Sequence, residues 1–242
     1  MKKWTLLLAV VMTAAYAPPA RSQAALLVLL FGDKVASENF YFSLKVGANV
    51  ADVSGVDGGS VATGLNFGLL GTIKISDKFS LVPEFAPLSR KGVKNIPYLP
   101  SGIAELDNLI TPPSASQMAL NYIDIPVIAK YQLGDRLSIG TGPQFGILTS
   151  SSNTYDNAVQ PDDELRYTQG SQLSWNKFDV GWAFELNYSL WQAREGRGLN
   201  LHARYTRGLT DILKDNPGDA VSNSVFQFFV SLPFIEIAEN GS

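Results

Sequence analysis

The chain has 242 residues, enough for one large all-β domain or two small ones. Only 17% of residues are charged, polarity coming mostly from Gly, Ser, Asn and Thr, and Cys is absent, which excludes disulfides and thiolate metal sites. Removing the first 24 residues takes away three of the 19 bases and none of the 22 acids, leaving 16 against 22, a net of −6 that argues against a nucleic-acid partner.

Residues 1–24 read as a cleaved Sec signal. Lys2 and Lys3 precede an apolar run from Leu6 to Ala17, Pro18 and Pro19 break it, and Ser22-Gln23-Ala24 offers small residues for cleavage. The run is short of the roughly 20 apolar residues of a spanning helix. Residues 25–39 form an N-terminal periplasmic segment that includes the apolar stretch Ala25 to Phe31.

From Phe40 onward the hydrophobic period is two, which in an extended chain sorts side chains onto opposite faces. In the first strand Phe40, Phe42, Leu44, Val46, Ala48 and Val50 alternate with polar and small residues. The second carries Leu65, Phe67, Leu69, Ile73 and Ile75 on one face, and the third, Phe79 to about Arg90, sets Phe79, Leu81 and Phe85 opposite Ser80 and Glu84. The fourth is NYIDIPVIAKY, Asn121 to Tyr131, with Ile123, Ile125, Val127 and Ala129 opposite Tyr122, Asp124, Ile128 and Lys130. The fifth spans Leu137 to Ile147, the sixth Phe178 to Tyr188, the seventh Leu199 to Thr206 and the last Phe226 to Phe234. Most are long enough to cross a bilayer at a tilt, which takes about 9 to 11 residues.

Short turns (Ser76-Asp77-Lys78, Leu133-Gly134-Asp135 and Gln192 to Arg197) alternate with long connections. Short periplasmic turns and longer external loops are the asymmetry of an outer-membrane barrel, and an even strand count puts both termini in the periplasm. Residues 40–235 are therefore assigned to an all-β, eight-stranded antiparallel up-and-down transmembrane β-barrel, and 236–242 to a C-terminal tail. A soluble barrel shows the same period with its apolar face inward. Here the apolar face is bulky and aromatic while the other is thick with Gly, Ser and Asn, which suits a narrow interior. Tyr131, Tyr188, Trp191 and Phe234 cluster near strand ends, where an interfacial girdle sits. Pro83, Pro126, Pro143 and Pro233 fall inside strands, so each is expected at a bulge or a strand end.

With the polar face as lumen, Lys45, Lys74, Lys130 and Arg204 meet Glu84, Asp124, Asp179 and Glu185, four charges of each sign. Unpaired charges there are costly, so the balance predicts a paired, hydrogen-bonded plug. Folding the sixth strand onto the seventh about Arg194 brings Glu185 opposite Arg204, a predicted ion pair. His202, the only histidine, points into the same network. The expected lumen network is therefore Lys45, Glu84, Asp124, Lys130, Glu185, His202 and Arg204.

Enzymes of the outer leaflet need a nucleophile, a base and an orienting acid in hydrogen-bond reach, and a lone lumen histidine is better explained as part of a polar network. The acidic loop residues Asp156, Asp162, Asp163 and Glu164, and Asp211, Asp215 and Asp219, lack EF-hand spacing and read as solvated. Gly140-Thr141-Gly142 sits within a strand pattern with no following helix, unlike a nucleotide loop. No catalytic, cofactor or metal site is assigned. The leading reading is a non-enzymatic anchor, interaction surface or secretion accessory working through its loops. The alternatives are a narrow passive channel and, further off, a lipid-modifying enzyme.

ALLVLLFGDKVASENFYFSLKVGAN, LVPEF followed by SRKG, NYIDIPVIAKY with LSIGTGPQFGIL, and NSVFQFFVSLPF resemble the outer-membrane β-barrel domain family called PorT-like or porin-family. The resemblance covers about Phe40 to Phe234 and implies an eight-stranded barrel in the outer membrane of a Gram-negative bacterium. Outer-membrane lipids and lipopolysaccharide, the barrel-assembly machinery and other envelope or secretion-system proteins are the partners to expect. Many such barrels end on an aromatic residue read during assembly, whereas eight residues follow Phe234 here.

Overall fold

A computed structural model describes residues 39–234 apart from Asp57, 97–114, 161–162, Gln172, 195–196, Asp215 and Pro217. The expected signal, the Ala25 to Phe31 stretch and the tail lie outside the described residues. Nine strands are present among those residues: β1 (Phe40–Ser54), β2 (Ser60–Lys74), β3 (Phe79–Ile96), β4 (Ala115–Gln132), β5 (Leu137–Gln160), β6 (Asp163–Gly170), β7 (Phe178–Arg194), β8 (Arg197–Gly208) and β9 (Ser222–Phe234).

All pairings are antiparallel. The order β4-β3-β2-β1-β9-β8-β7-β5 closes through a β4–β5 ladder, so eight strands form the barrel and no edge is left in its wall. First and last strands meet in unbroken register from Phe42↔Phe234 to Ser54↔Ser222. The ninth element corrects the expectation of a plain loop between the fifth and sixth strands. There β5 runs on to Gln160 and turns back as β6, from Ser152↔Gly170 to Gln160↔Asp163, above the point where β7 leaves β5 at Ile147↔Phe178. The segment has few apolar residues to mark it, and its hairpin is held by backbone pairing.

Alternation decides the wall. Outward side chains include Leu65, Phe67, Phe85, Ile139, Phe145, Phe184, Leu186, Phe226 and Phe228, all exposed. Inward ones include Lys45, Asn49, Asn66, Glu84, Asp124, Asp179, Glu185, Arg204 and Gln227, all buried. A water-soluble fold inverts this pattern. Gly47 shows how tightly the interior is filled. A Cβ there would lie 2.3 Å from both the Phe228 carbonyl oxygen and the Phe229 Cβ.

The prolines behave differently from expectation. Pro83↔Val127, Pro126↔Gln144, Pro143↔Trp182 and Pro233↔Ser43 all pair in register, and only Pro233 lies by a strand end. Beside Pro83 the β2–β3 ladder lapses between Ile73↔Leu81 and Leu70↔Glu84 and resumes in the same register; similar lapses flank Pro126 on β3–β4 and Pro143 on β4–β5. Losing one N–H donor toward one neighbour costs a ladder bond but forces no slip, because the other neighbour holds the register. The bulges fall elsewhere, notably between Ala86 and Ser89 on β3.

Candidate functional site: a paired lumen under an apolar stopper

The lower lumen is built around Arg204 of β8. Its Nε donates to Glu185 Oε2 at 2.8 Å, its Nη1 to Glu84 Oε2 at 2.9 Å, and its Nη2 to both carboxylates. Lys45 Nζ donates to Glu84 Oε2 at 3.0 Å, so each carboxylate has a second cationic or polar partner. That partner for Glu185 is His202, whose Nδ1 lies 2.9 Å from Oε1. Glu185 and Arg204 are direct cross-strand neighbours, as the folding of β7 on β8 requires. Glu84 comes from 120 residues away and is brought in only by closure.

Phe229 of β9 lies at the centre of this cluster and has no counterpart in the sequence reading. His202 stacks on its ring at 4.2 Å and 10°, Lys45 Nζ stands 4.0 Å from the centroid and the Arg204 guanidinium carbon 5.0 Å. An aromatic face gives buried cations an electrostatic partner where water is absent. The signal for it was its place on the polar face of β9, against the apolar run on the other side.

His202 Nε2 lies 2.8 Å from Ser231 Oγ, so Ser231, His202 and Glu185 have the connectivity of a nucleophile, base and acid. Ser231 is only 2% exposed, however, and also accepts from Asn200 Nδ2, while Glu185 is shared with Arg204. The arrangement fastens β7, β8 and β9 together through three buried side chains.

The upper lumen holds a second cluster. Lys91 Nζ donates to Asp124 Oδ1 at 3.0 Å and lies 3.5 Å from Asp179 Oδ2, with its ammonium 4.2 Å from the Tyr122 ring. Ser89 Oγ donates to Asp124 Oδ2 at 2.6 Å, and Asn223 Nδ2 to Asp179 Oδ2 at 2.8 Å. Between the two clusters Asn66 donates to Asn49, and Asn49 to Ser89.

Lys91 corrects the sequence assignment. Strict alternation places it outside and Arg90 inside, but the bulge between Ala86 and Ser89 inverts the faces of the residues that follow as far as Val93, leaving Arg90 exposed and Lys91 2% exposed. Lys74, expected in the lumen, is exposed at the last position of β2, 6.0 Å from the Tyr41 ring centroid. Lys130 faces inward, half-buried, and its charge reaches Glu185 and Glu84 through space. Lys45, Lys91, Arg204 and Lys130 thus meet Glu84, Asp124, Asp179 and Glu185.

Above the second cluster the lumen turns apolar. Ile212, from the β8–β9 connection, packs with Val53, Val93, Ile96, Met118, Leu120, Tyr122 and Val221, and Trp175 and Leu213 lie against them. Trp175 bridges to Leu213, and Asn176 Nδ2 donates to the Asp211 carbonyl. Asp211 folds this connection: Oδ1 accepts from the N–H groups of Leu213 and Val221, and Oδ2 from Asn216 Nδ2. These bonds, that of Asn216 first, hold its carboxyl below the usual carboxylate range. Thr210 Oγ1 reaches Asp179 Oδ1, tying the stopper to the ion pairs beneath.

Of the acidic loop residues, Asp162 and Asp215 lie outside the described residues, as do the side chains at 156, 163 and 164. Among the described residues no three His, Asp or Glu side chains gather where they could hold a metal ion.

A closed eight-stranded barrel with an apolar exterior and a charged, paired interior is a membrane-spanning architecture. Over residues 31–214 the chain matches the family described as outer membrane protein beta-barrel domain, and it belongs to that family. It is therefore an outer-membrane β-barrel protein. Among solved structures it is similar to OprG of Pseudomonas aeruginosa (12% identity, TM-score 0.45, covering 82% of this chain and 97% of that one). It is also similar to Ail of Yersinia pestis in complex with sucrose octasulfate (11%, 0.43, 81% and 99%) and to Neisserial surface protein A (14%, 0.41, 81% and 98%). A comparison with curated proteins returned no match.

Proposed function

We propose that the protein is a non-enzymatic outer-membrane anchor that works as an interaction surface or secretion accessory through its long-loop end. The observation that carries this reading is the lumen filled, among the described residues, by two ion-pair clusters under an apolar stopper. The β5–β6 hairpin and the connection between β8 and β9 are then the accessible working part. On this reading residues 1–24 are a cleaved signal, both termini face the periplasm and the long loops face outward. The barrel-assembly machinery and other envelope or secretion-system proteins are the partners, with no cofactor and no nucleic acid.

Planar-bilayer recording of the refolded chain tests it. Absence of stable openings is expected. Openings of porin size in the unmodified protein would overturn the reading in favour of a channel.

A further inference from the structure

We propose that the upper lumen cluster binds a small monovalent cation of the sodium type between Asp124, Asp179 and Asn223, as a structural ion of the folded barrel.

The balance of four lumen charges against four is not local. Glu84 and Glu185 meet Arg204 and Lys45, and the charge of Lys130 reaches the same two carboxylates, giving three cations for two acids. In the upper cluster Lys91 is ion-paired with both Asp124 and Asp179, one cation for two acids among the described residues. All three side chains are buried. Lys130 stands six residues along β4 from Asp124, about 20 Å in an extended strand and far beyond ion-pair reach. One negative charge is therefore in excess beneath the apolar stopper, where an uncompensated charge is costly.

Acceptors are in surplus at the same place. Asn223, 2% exposed, donates its Nδ2 to Asp179 Oδ2 at 2.8 Å, while its Oδ1, carried by the same carbon, is buried and accepts no hydrogen bond among the described residues. Asn66 Oδ1 and Gln227 Oε1 are buried amide acceptors of the same kind. Gly146 keeps side-chain volume out of the gap between the two acids. It is in register with Asp124 on one side and Asp179 on the other, and a Cβ added there would lie 3.1 Å from Asp124 Oδ1 and 3.3 Å from Asp179 Cβ. A neutral donor would satisfy the amide oxygen and leave the charge, whereas a cation does both. Carboxylate and amide oxygens are ligands for hard cations. Two acids already offset in part by Lys91 match one positive charge and fall short of a divalent ion.

The test is urea unfolding of the full chain in detergent micelles at fixed pH and ionic strength. Sodium chloride is exchanged stepwise for N-methylglucamine chloride, whose cation is too large for a buried site. The ratio of folded to unfolded chain at a given urea concentration is expected to rise with sodium, approaching about ten-fold per ten-fold increase once sodium exceeds the dissociation constant. Asp179→Asn removes the excess charge and is expected to lose the response, as is Gly146→Ala, which fills the gap without altering charge. Lys91→Met is less stable but enlarges the excess, so its response is expected to set in at lower sodium. Asp77→Asn, which removes an acid from an exposed short turn, is the control and keeps the response. Heat-modifiable gel mobility confirms that each variant is folded. A sodium-independent midpoint in the unmodified chain overturns the proposal. So does an undiminished response in Asp179→Asn, or a response in Lys91→Met weaker than that of the unmodified chain.

Discussion

Replacing Arg204 with Met removes the guanidinium and keeps most of the side-chain volume. Four hydrogen bonds to Glu84 and Glu185 disappear. Charged hydrogen bonds contribute about 1.5–3 kcal/mol each, which sets an upper range of roughly 6–12 kcal/mol. Lys45 still reaches Glu84 and His202 still reaches Glu185, so neither carboxylate is fully orphaned. The cost of breaking a buried pair, about 3–5 kcal/mol, is the better figure. Removing one charge of each sign, in Glu185→Gln/Arg204→Met, leaves the Lys45–Glu84 pair intact and is expected to cost less than Arg204→Met alone. The assay is urea unfolding in detergent micelles, followed by tryptophan fluorescence and by the folded-to-unfolded gel shift. A cost below about 1 kcal/mol for Arg204→Met, or a double variant less stable than the single one, would refute the view that this network is held by mutual compensation.

Phe229→Ala removes the ring against which Lys45, His202 and Arg204 rest and is expected to cost about 3–5 kcal/mol in the same unfolding assay, with Phe229→Leu recovering part of it. Gly47→Ala places a methyl group against the Phe228 carbonyl and Phe229, so a loss of about 1–3 kcal/mol and a lower folded fraction on the gel are expected. The Asp211 carboxyl has a folded value below its unfolded one. Its contribution is therefore present above the ordinary carboxylate value near 3.8 and is lost as pH falls through the lower, folded value. Limited proteolysis with an acid-active protease should show the 209–221 connection becoming more accessible only in that acidic window. Asp211→Asn should be more accessible at neutral pH and lack this transition.

Strand positions, the alternation of short and long connections and the apolar exterior were legible in the sequence, because period two and turn composition are local properties. Glu185 opposite Arg204 was legible for the same reason, since a short turn fixes the register of neighbouring strands. Glu84 joining Arg204, and Phe229 beneath both, required closure of the barrel across distances no local pattern encodes. The entry of Lys91 into the lumen turned on one β3 bulge, which has no signature in the alternation it interrupts, whereas Lys74 is exposed because β2 ends there. Two further features were settled by tertiary structure alone: the β5–β6 hairpin, which has no apolar face to announce it, and the seating of Ile212 over the lumen. Sequence determines which face each residue takes within a regular strand; irregularities in pairing and the convergence of distant strands decide which charges meet, because both depend on where neighbouring backbones lie.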